Sequence, residues 1–258
     1  MRAYILTDLE GPAGVARWDQ TRVDESPRKA VAMELLTKEV NACVDGILEH
    51  DPKAEVVVLD GHGSGGIDVR LFHPKAELIY GRGFRPPMGL DDSFDALLFV
   101  GQHAMAGTAD APLCHTYSSR TVEYYKLNGA PIGEFGCRTA LAGAFGVPTV
   151  FLAGDDKACA EAEAFVPGIV TVATKRGMGV ELAIHLSPKR ARRLIQRGAK
   201  EACRRIPTIP PKRIDPPYEF EVRLLEGNSI EGHLKRGAQQ LDERTCVYHT
   251  DDLLSLPI

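Results

Sequence analysis

No two of the six cysteines (Cys43, Cys114, Cys137, Cys159, Cys203 and Cys246) form a C-x-x-C pair; they are scattered along the whole chain. A disulfide framework needs a denser pattern, so the spread points to reduced thiols and a cytoplasmic protein. A basic segment leading into an apolar stretch and a small-residue cleavage site is also lacking. Arg2–Thr7 already reads as a strand, and Asp8 and Glu10 cut it short. No run approaches the roughly 18 apolar residues that span a bilayer. Positive charge is not in excess, because 31 Lys and Arg stand against 35 Asp and Glu, for a formal net charge of −4. Without such an excess there is no general pull toward phosphate backbones or anionic membranes, and neither is an expected partner.

What is present is ordinary globular composition, with 44% hydrophobic and 26% charged residues over 258 positions. That suits one large α/β domain or one domain with a small appendage. Ser26-Pro27 reads as a helix cap followed by a first-turn proline. Met33, Leu36, Val40, Val44, Ile47 and Leu48 then recur at helical spacing, so residues 27–49 are predicted to form an amphipathic helix. Glu55–Leu59, Ala96–Val100 and Pro148–Leu152 are buried-strand runs, and a small-residue helix is predicted near 134–145. Asn128-Gly129 is a tight-turn pair that marks a hairpin over 121–132. The alternation predicts an α/β fold with a mostly parallel sheet and flanking helices, a Rossmann-like three-layer arrangement.

Between Ile206 and Tyr218 stand Pro207, Pro210, Pro211, Pro216 and Pro217, a density that reads as a linker. The expected division is therefore a catalytic domain over 1–205, then the linker and a small α+β segment over 206–258. Some 40 residues beyond the linker are too few for a core of their own. Phe220, Val222, Leu224, Val247 and Tyr248 must bury against the first domain or against a neighbouring subunit.

Ligands of open α/β sheets bind beyond the carboxyl ends of the strands. Three predicted strands end in groups able to hold a metal: Asp8 and Glu10 after the first, Asp60 and His62 after the second, His103 after the third. Imidazoles and carboxylates are the ligands of zinc and similar divalent ions. An acidic pair after a strand is also an ordinary cap or solvated turn, and a loop histidine an ordinary surface group. It is their coincidence at three strand ends that favours a shared metal site. The other signals are weaker. Gly61–Gly66 fits no nucleotide fingerprint and reads as a flexible loop beside that site. The basic run over 188–205 reads as a solvated helix face. Asp155 and Asp156 read as caps of the next helix. His50, His73, His185, His233 and His249 have no partners at metal spacing.

Taken in order, Thr7-Asp8-Leu9-Glu10-Gly11, Asp60-Gly61-His62, Gly101-Gln102-His103-Ala104, His115, Gly133-Glu134-Phe135-Gly136 and Ala153-Gly154-Asp155-Asp156 resemble the zinc D-aminopeptidases. These are the self-compartmentalising type associated with bacterial dipeptide-transport operons, and the resemblance covers roughly residues 1–200. It implies two Zn2+ per chain, with Asp8 bridging and Glu10, His62, His103 and Glu134 completing the ligands. It further implies a catalytic role for His115, short peptides with N-terminal D-residues as substrates, and a large homo-oligomer, a decamer of two stacked pentamers. Gly61 and Cys114 depart from the family pattern, which has serine at both positions. Three carboxylates would offset most of the charge on two divalent ions and leave room for a hydroxide. Two other readings stay open on these residues: a two-metal hydrolase of another amide or a phosphoester, and a non-catalytic oligomeric peptide-binding protein.

Overall fold

The computed structural model describes residues 1–22, 26–83 and 85–258. The main sheet has seven strands: β1 (Arg2–Thr7), β2 (Glu55–Asp60), β3 (Glu77–Ile79), β4 (Ala96–Gln102), β7 (Thr149–Asp155), β8 (Val170–Gly179) and β9 (Leu182–His185). Their spatial order is β3-β2-β1-β4-β7-β8-β9, and all pairs are parallel except β8 with β9. The continuous apolar runs of β2 and β4 are what a parallel strand covered on both faces requires.

Helix α1 (Pro27–His50) starts where the cap was predicted, with the Ser26 side chain accepting from the Arg28 amide at 3.2 Å. It packs along α4 (Pro188–Arg205) on one face of the sheet. Gly198 of α4 sits directly over the Phe151 ring on that face. The opposite face is covered by α2 (Glu134–Ala144) and α3 (Asp156–Phe165). There the Phe99 and Phe135 rings meet with centroids 4.9 Å apart. Successive strand residues face opposite sides, so Leu98 with Phe151 and Phe99 with Leu152 serve the two layers in turn. The basic residues of α4 lie on its outer side, while Ala191, Ile195, Ala199 and Ala202 are buried.

A second, antiparallel sheet has the order β11-β12-β10-β5-β6. Its strands are β5 (Val122–Leu127), β6 (Ala130–Pro131), β10 (Tyr218–Leu224), β11 (Gln239–Gln240) and β12 (Thr245–Thr250), with a one-turn helix α5 (Glu231–Leu234) beside it. The β5–β6 hairpin turns at Asn128 and Gly129, both at positive φ, as predicted. β10 pairs with β5 on one side and β12 on the other, so residues from both sides of the proline-rich stretch share one sheet. Phe220, Val222, Leu224 and Tyr248 bury within this chain against Tyr125, Leu127, Cys137 and others, and Val247 is buried too. No subunit interface is needed to cover them. The proline-rich stretch is itself packed, with Ile209 in the main core and Ile214 against the second. All six cysteines are free thiols. No helix among the described residues is long and apolar enough to cross a membrane.

The α1–α4 contact depends on Gly46, where a Cβ would stand 2.2 Å from the Gln196 carbonyl oxygen. Alanine is the better helix former by about 1 kcal/mol, but overpacking against backbone costs about 1–3 kcal/mol and outweighs it. Gly46→Ala is therefore expected to lower the urea midpoint of unfolding; a midpoint at or above wild type would contradict this packing.

Candidate metal centre

In a parallel sheet whose strand order reverses, the crevice opens at the carboxyl ends of the two strands flanking the reversal. Here those strands are β1 and β4. Asp8 and Glu10 leave β1, and His103 leaves β4, so three predicted ligands converge on that crevice. The two strand ends approach closely: the Asp8 amide donates to the Val100 carbonyl at 3.0 Å and the Gly11 amide to the Gly101 carbonyl at 2.7 Å. Gly101 lies at φ +84°, and a Cβ there would be 2.0 Å from the Asp8 carbonyl oxygen. Only glycine admits both that φ and that approach.

Three further groups complete the picture. His62 follows β2 and sets its Nε2 3.3 Å from Glu10 Oε1, its one link to the cluster. His103 Nε2 lies 3.1 Å from Asp8 Oδ2 and 3.4 Å from Glu134 Oε1. Glu134 is the first residue of α2, and its Oε1 accepts from the Tyr117 amide at 2.7 Å. His115 stacks on His103 with ring centroids 4.0 Å apart and planes 12° apart, its Nε2 3.7 Å from Glu134 Oε1. Asp8, Glu10 and His103 offer ligand atoms all within 4.8 Å of one another, and so do His103, His115 and Glu134. Asp60, the remaining strand-end acid, turns away: its carboxylate accepts from the amides of Gly66 and Ile67 and holds the glycine-rich loop in place. Asp155 caps α3 as predicted, accepting from the Lys157 and Ala158 amides.

The donor atoms are aimed as metal ligands are. His103 gives its Nδ1 proton to the Ala104 carbonyl at 2.9 Å, and His115 gives its own to the Leu113 carbonyl at 2.9 Å. Ser64 Oγ lies 3.3 Å from His62 Nδ1. The two carbonyl contacts fix the tautomer that leaves Nε2 of His103 and His115 with a lone pair. Among the described residues His103 Nε2 and Glu10 Oε2 are buried without a hydrogen-bond partner, although Asp8 and Glu134 oxygens lie close to His103. Atoms that crowd together without bonding each other point at a common centre, and divalent ions fit that donor set.

The electrostatics agree. Burial pushes the Asp8 carboxyl up to about 7, with the Glu10 charge adding to it. Burial also opposes ionisation of Glu10 and Glu134, but His62 holds Glu10 well below its usual range and His103 brings Glu134 down to about 2. Burial disfavours the imidazolium of His62, yet Glu10 raises that histidine to about 9. His103, equally buried, is driven well above its ordinary value by Asp8 and Glu134. His115 moves down, through burial and through His103 beside it. Three buried carboxylates demand positive charge, and divalent ions supply it without protons.

A profile of the D-aminopeptidase peptidase family matches residues 1–256. The chain belongs to this family. A D-aminopeptidase of Bacillus subtilis (strain 168) is 35% identical over 199 residues, spanning 76% of this chain and 71% of that relative. The solved structure of the Zn-dependent D-aminopeptidase DppA from Bacillus subtilis, described as a self-compartmentalizing protease, superposes with a TM-score of 0.92 at 27% identity. The match covers 99% of this chain and 93% of that one. Family membership and the Zn-dependent structural relative make the chain a metal-dependent aminopeptidase.

The structure also assembles groups that the sequence did not single out. The loop carrying His115 is held in strained backbone, with Leu113 at φ 57° and Tyr117 at φ 56° on either side. Non-glycine residues at such φ persist only where surrounding contacts impose them. The β8–β9 hairpin imposes part of this, because the Leu113 amide donates to the Val180 carbonyl at 2.7 Å. The same hairpin holds the 10–20 loop, with the Trp18 amide donating to Glu181 at 2.9 Å and the Gly14 amide to His185 Nδ1 at 3.0 Å. Lys175 lies fully buried beneath that loop, its ammonium donating to the carbonyls of Glu10, Pro12 and Val15. Burial brings its pKa down to about 8. Lys175 stands beside Arg176 in a strand of mixed polarity and gives no sequence signal for this strap.

Lys175→Met would leave those carbonyls without a donor, at a cost of about 1–3 kcal/mol. The expected result is a lower unfolding midpoint together with weaker metal retention, since Glu10 sits on the freed loop. Unchanged values for both would remove Lys175 from the support of the site.

Proposed function

We propose that this chain is a two-zinc aminopeptidase that removes the N-terminal D-residue from short peptides inside a large homo-oligomer. The observation that carries the metal assignment is the convergence of three carboxylates and three imidazole Nε2 atoms, with His103 Nε2 and Glu10 Oε2 buried and unpartnered. His62 with Glu10 forms one half of the cluster and His103 with Glu134 the other. Asp8, whose ligand atom lies within 4.8 Å of those of Glu10 and His103, would contribute its carboxylate to both ions. When bound, zinc polarises a carbonyl and lowers the pKa of a water to about 7.

The remaining tasks fall to the chain. Its carboxylates hold the charge of the ions and its outer hydrogen bonds hold the imidazoles in one tautomer. His115, with Nδ1 committed to Leu113, presents an Nε2 lone pair that must first take up a proton; the resulting imidazolium then gives that proton to the leaving amine or hydrogen-bonds the developing oxyanion. The cluster opens into a cavity of about 990 Å³ whose far wall comes from the segment 206–258, through Leu224, Asn228, His233 and Arg236. In functional terms, residues 1–205 are the catalytic body and 206–258 close the substrate space. A cavity of that size suits short peptides.

Metal analysis tests the ligand set. Asp8→Asn and His103→Ala are expected to lower the zinc content from two ions per chain, and His115→Ala to keep both while losing about two to four orders of magnitude in turnover. Wild-type zinc content in the first two variants would overturn the assignment; metal loss in the third would make His115 a ligand.

Assembly has separate support. The structural relative is described as self-compartmentalizing, and the β8–β9 hairpin exposes Met178, Val180, Leu182 and Ile184, each half or more accessible. An apolar cluster of that kind on a surface marks an association site. Light scattering at micromolar concentration is expected to give a mass of about ten chains, a decamer of stacked pentamers; an active monomer that also digests long unfolded chains would rule out the compartment.

A further inference from the structure

The cavity that opens from the metal cluster is lined by four arginines: Arg22, Arg120, Arg138 and Arg236. Two of them are engaged, Arg138 with the Ile258 carbonyl oxygen at 3.0 Å and Arg236 with His233 Nδ1 at 3.2 Å. Arg22 and Arg120 have no ion pair among the described residues, and Arg22 Nε is buried without a hydrogen-bond partner. Arg22 is held in place by stacking, its Cζ 3.3 Å from the centroid of the Trp18 ring. Trp18 in turn meets His115 edge-on, with centroids 5.8 Å apart. The Arg120 carbonyl accepts from Asn228 Nδ2 at 3.3 Å, which ties this corner to the segment beyond residue 206.

Two guanidinium groups placed together repel each other, and Arg120 does lower the pKa of Arg22, second to burial. Glu10 and Glu181 act on Arg22 from a distance but neither reaches it as an ion pair. Glu10 is committed to the metal cluster and Glu181 to the Trp18 amide. Two guanidinium groups on the wall of the cavity, Arg22 partly buried and Arg120 exposed, without an ion pair among the described residues, are complementary to an anion. The anion that an aminopeptidase of short peptides meets in every cycle is the free carboxylate of its substrate.

Resting on the aminopeptidase reading, we propose that Arg22 and Arg120 bind the C-terminal carboxylate of the peptide and so set its length. Arginine takes carboxylates in a planar, two-point grip that lysine does not reproduce. The two ring contacts in line put Arg22 no farther from His115 than roughly two to three extended residues span. A di- or tripeptide with its scissile carbonyl at the metals therefore ends at the arginines. A longer chain must carry neutral backbone past two charged groups.

The test compares free acid with C-terminal amide, using the reduced-bond analogue of D-alanyl-D-alanine, in which the peptide unit is a CH2–NH that cannot be hydrolysed. Calorimetric titration onto the zinc-loaded protein is expected to show the acid binding about 10–100-fold tighter than the amide, the usual worth of hydrogen bonds to a charged group. In Arg22→Gln/Arg120→Gln that ratio is expected to fall below about 3, while Arg22→Lys keeps an intermediate value. Zinc content of each variant checks that it is folded. Equal binding of acid and amide by the wild type would overturn the subsite, as would a double variant that keeps the wild-type ratio. If the acid is preferred as expected but D-alanyl-D-alanine itself is not cleaved, the carboxylate subsite stands and the aminopeptidase reading fails.

Discussion

Three carboxylates share one buried volume at the point where the sheet reverses its strand order. Asp8, Glu10 and Glu134 are each largely removed from water, and no lysine or arginine pairs with them among the described residues. Anions so placed repel one another and lose hydration, which is tolerable only with compensating cations. Histidines at Nε2 distance and divalent ions meet that need, and the arrangement of everything nearby follows from it.

The surrounding contacts are of two kinds. Backbone carbonyls of Ala104 and Leu113 take the outer protons of His103 and His115, so the imidazoles face the cluster with lone pairs. Buried donors fix the loops that carry the acids: Lys175 beneath the Glu10 loop, the Tyr117 amide on Glu134, the Leu9 amide on Asp8. The β8–β9 hairpin joins both systems, because it bonds the Trp18 segment and the His115 segment alike. It also carries exposed apolar side chains, so an apolar surface and the bracing of the site lie on one element.

The second sheet explains how the crevice at the strand ends gains a second wall. By pairing β10 with β5, the segment after the prolines is fastened to the hairpin that leads into Glu134. One wall of the cavity is then metal cluster and the other is polar and basic, with Arg22, Arg120, Arg138 and Arg236 spread across it.

Much of this was legible in the residues. Apolar runs ending in Asp8-Leu9-Glu10, Asp60-Gly61-His62 and Gly101-Gln102-His103 mark strand ends, because a parallel strand is apolar and the function sits where it stops. The Ser26-Pro27 cap and the Asn128-Gly129 turn are local geometry, and local geometry is written in neighbouring residues. What depended on tertiary contact stayed hidden. Asp60 looks like Asp8 in sequence, and only the amides of Gly66 and Ile67 decide that it turns from the cluster. Val247 and its neighbours need burial, but whether this chain or a partner provides it depends on the pairing of β10 with a strand about 95 residues earlier. Lys175, Trp18, Arg22 and Arg120 carry no motif at all, since their roles come from which distant atoms they reach. Sequence by itself determined the strand ends and the chemical types of the ligands; the long-range packing decided which of those side chains face one another.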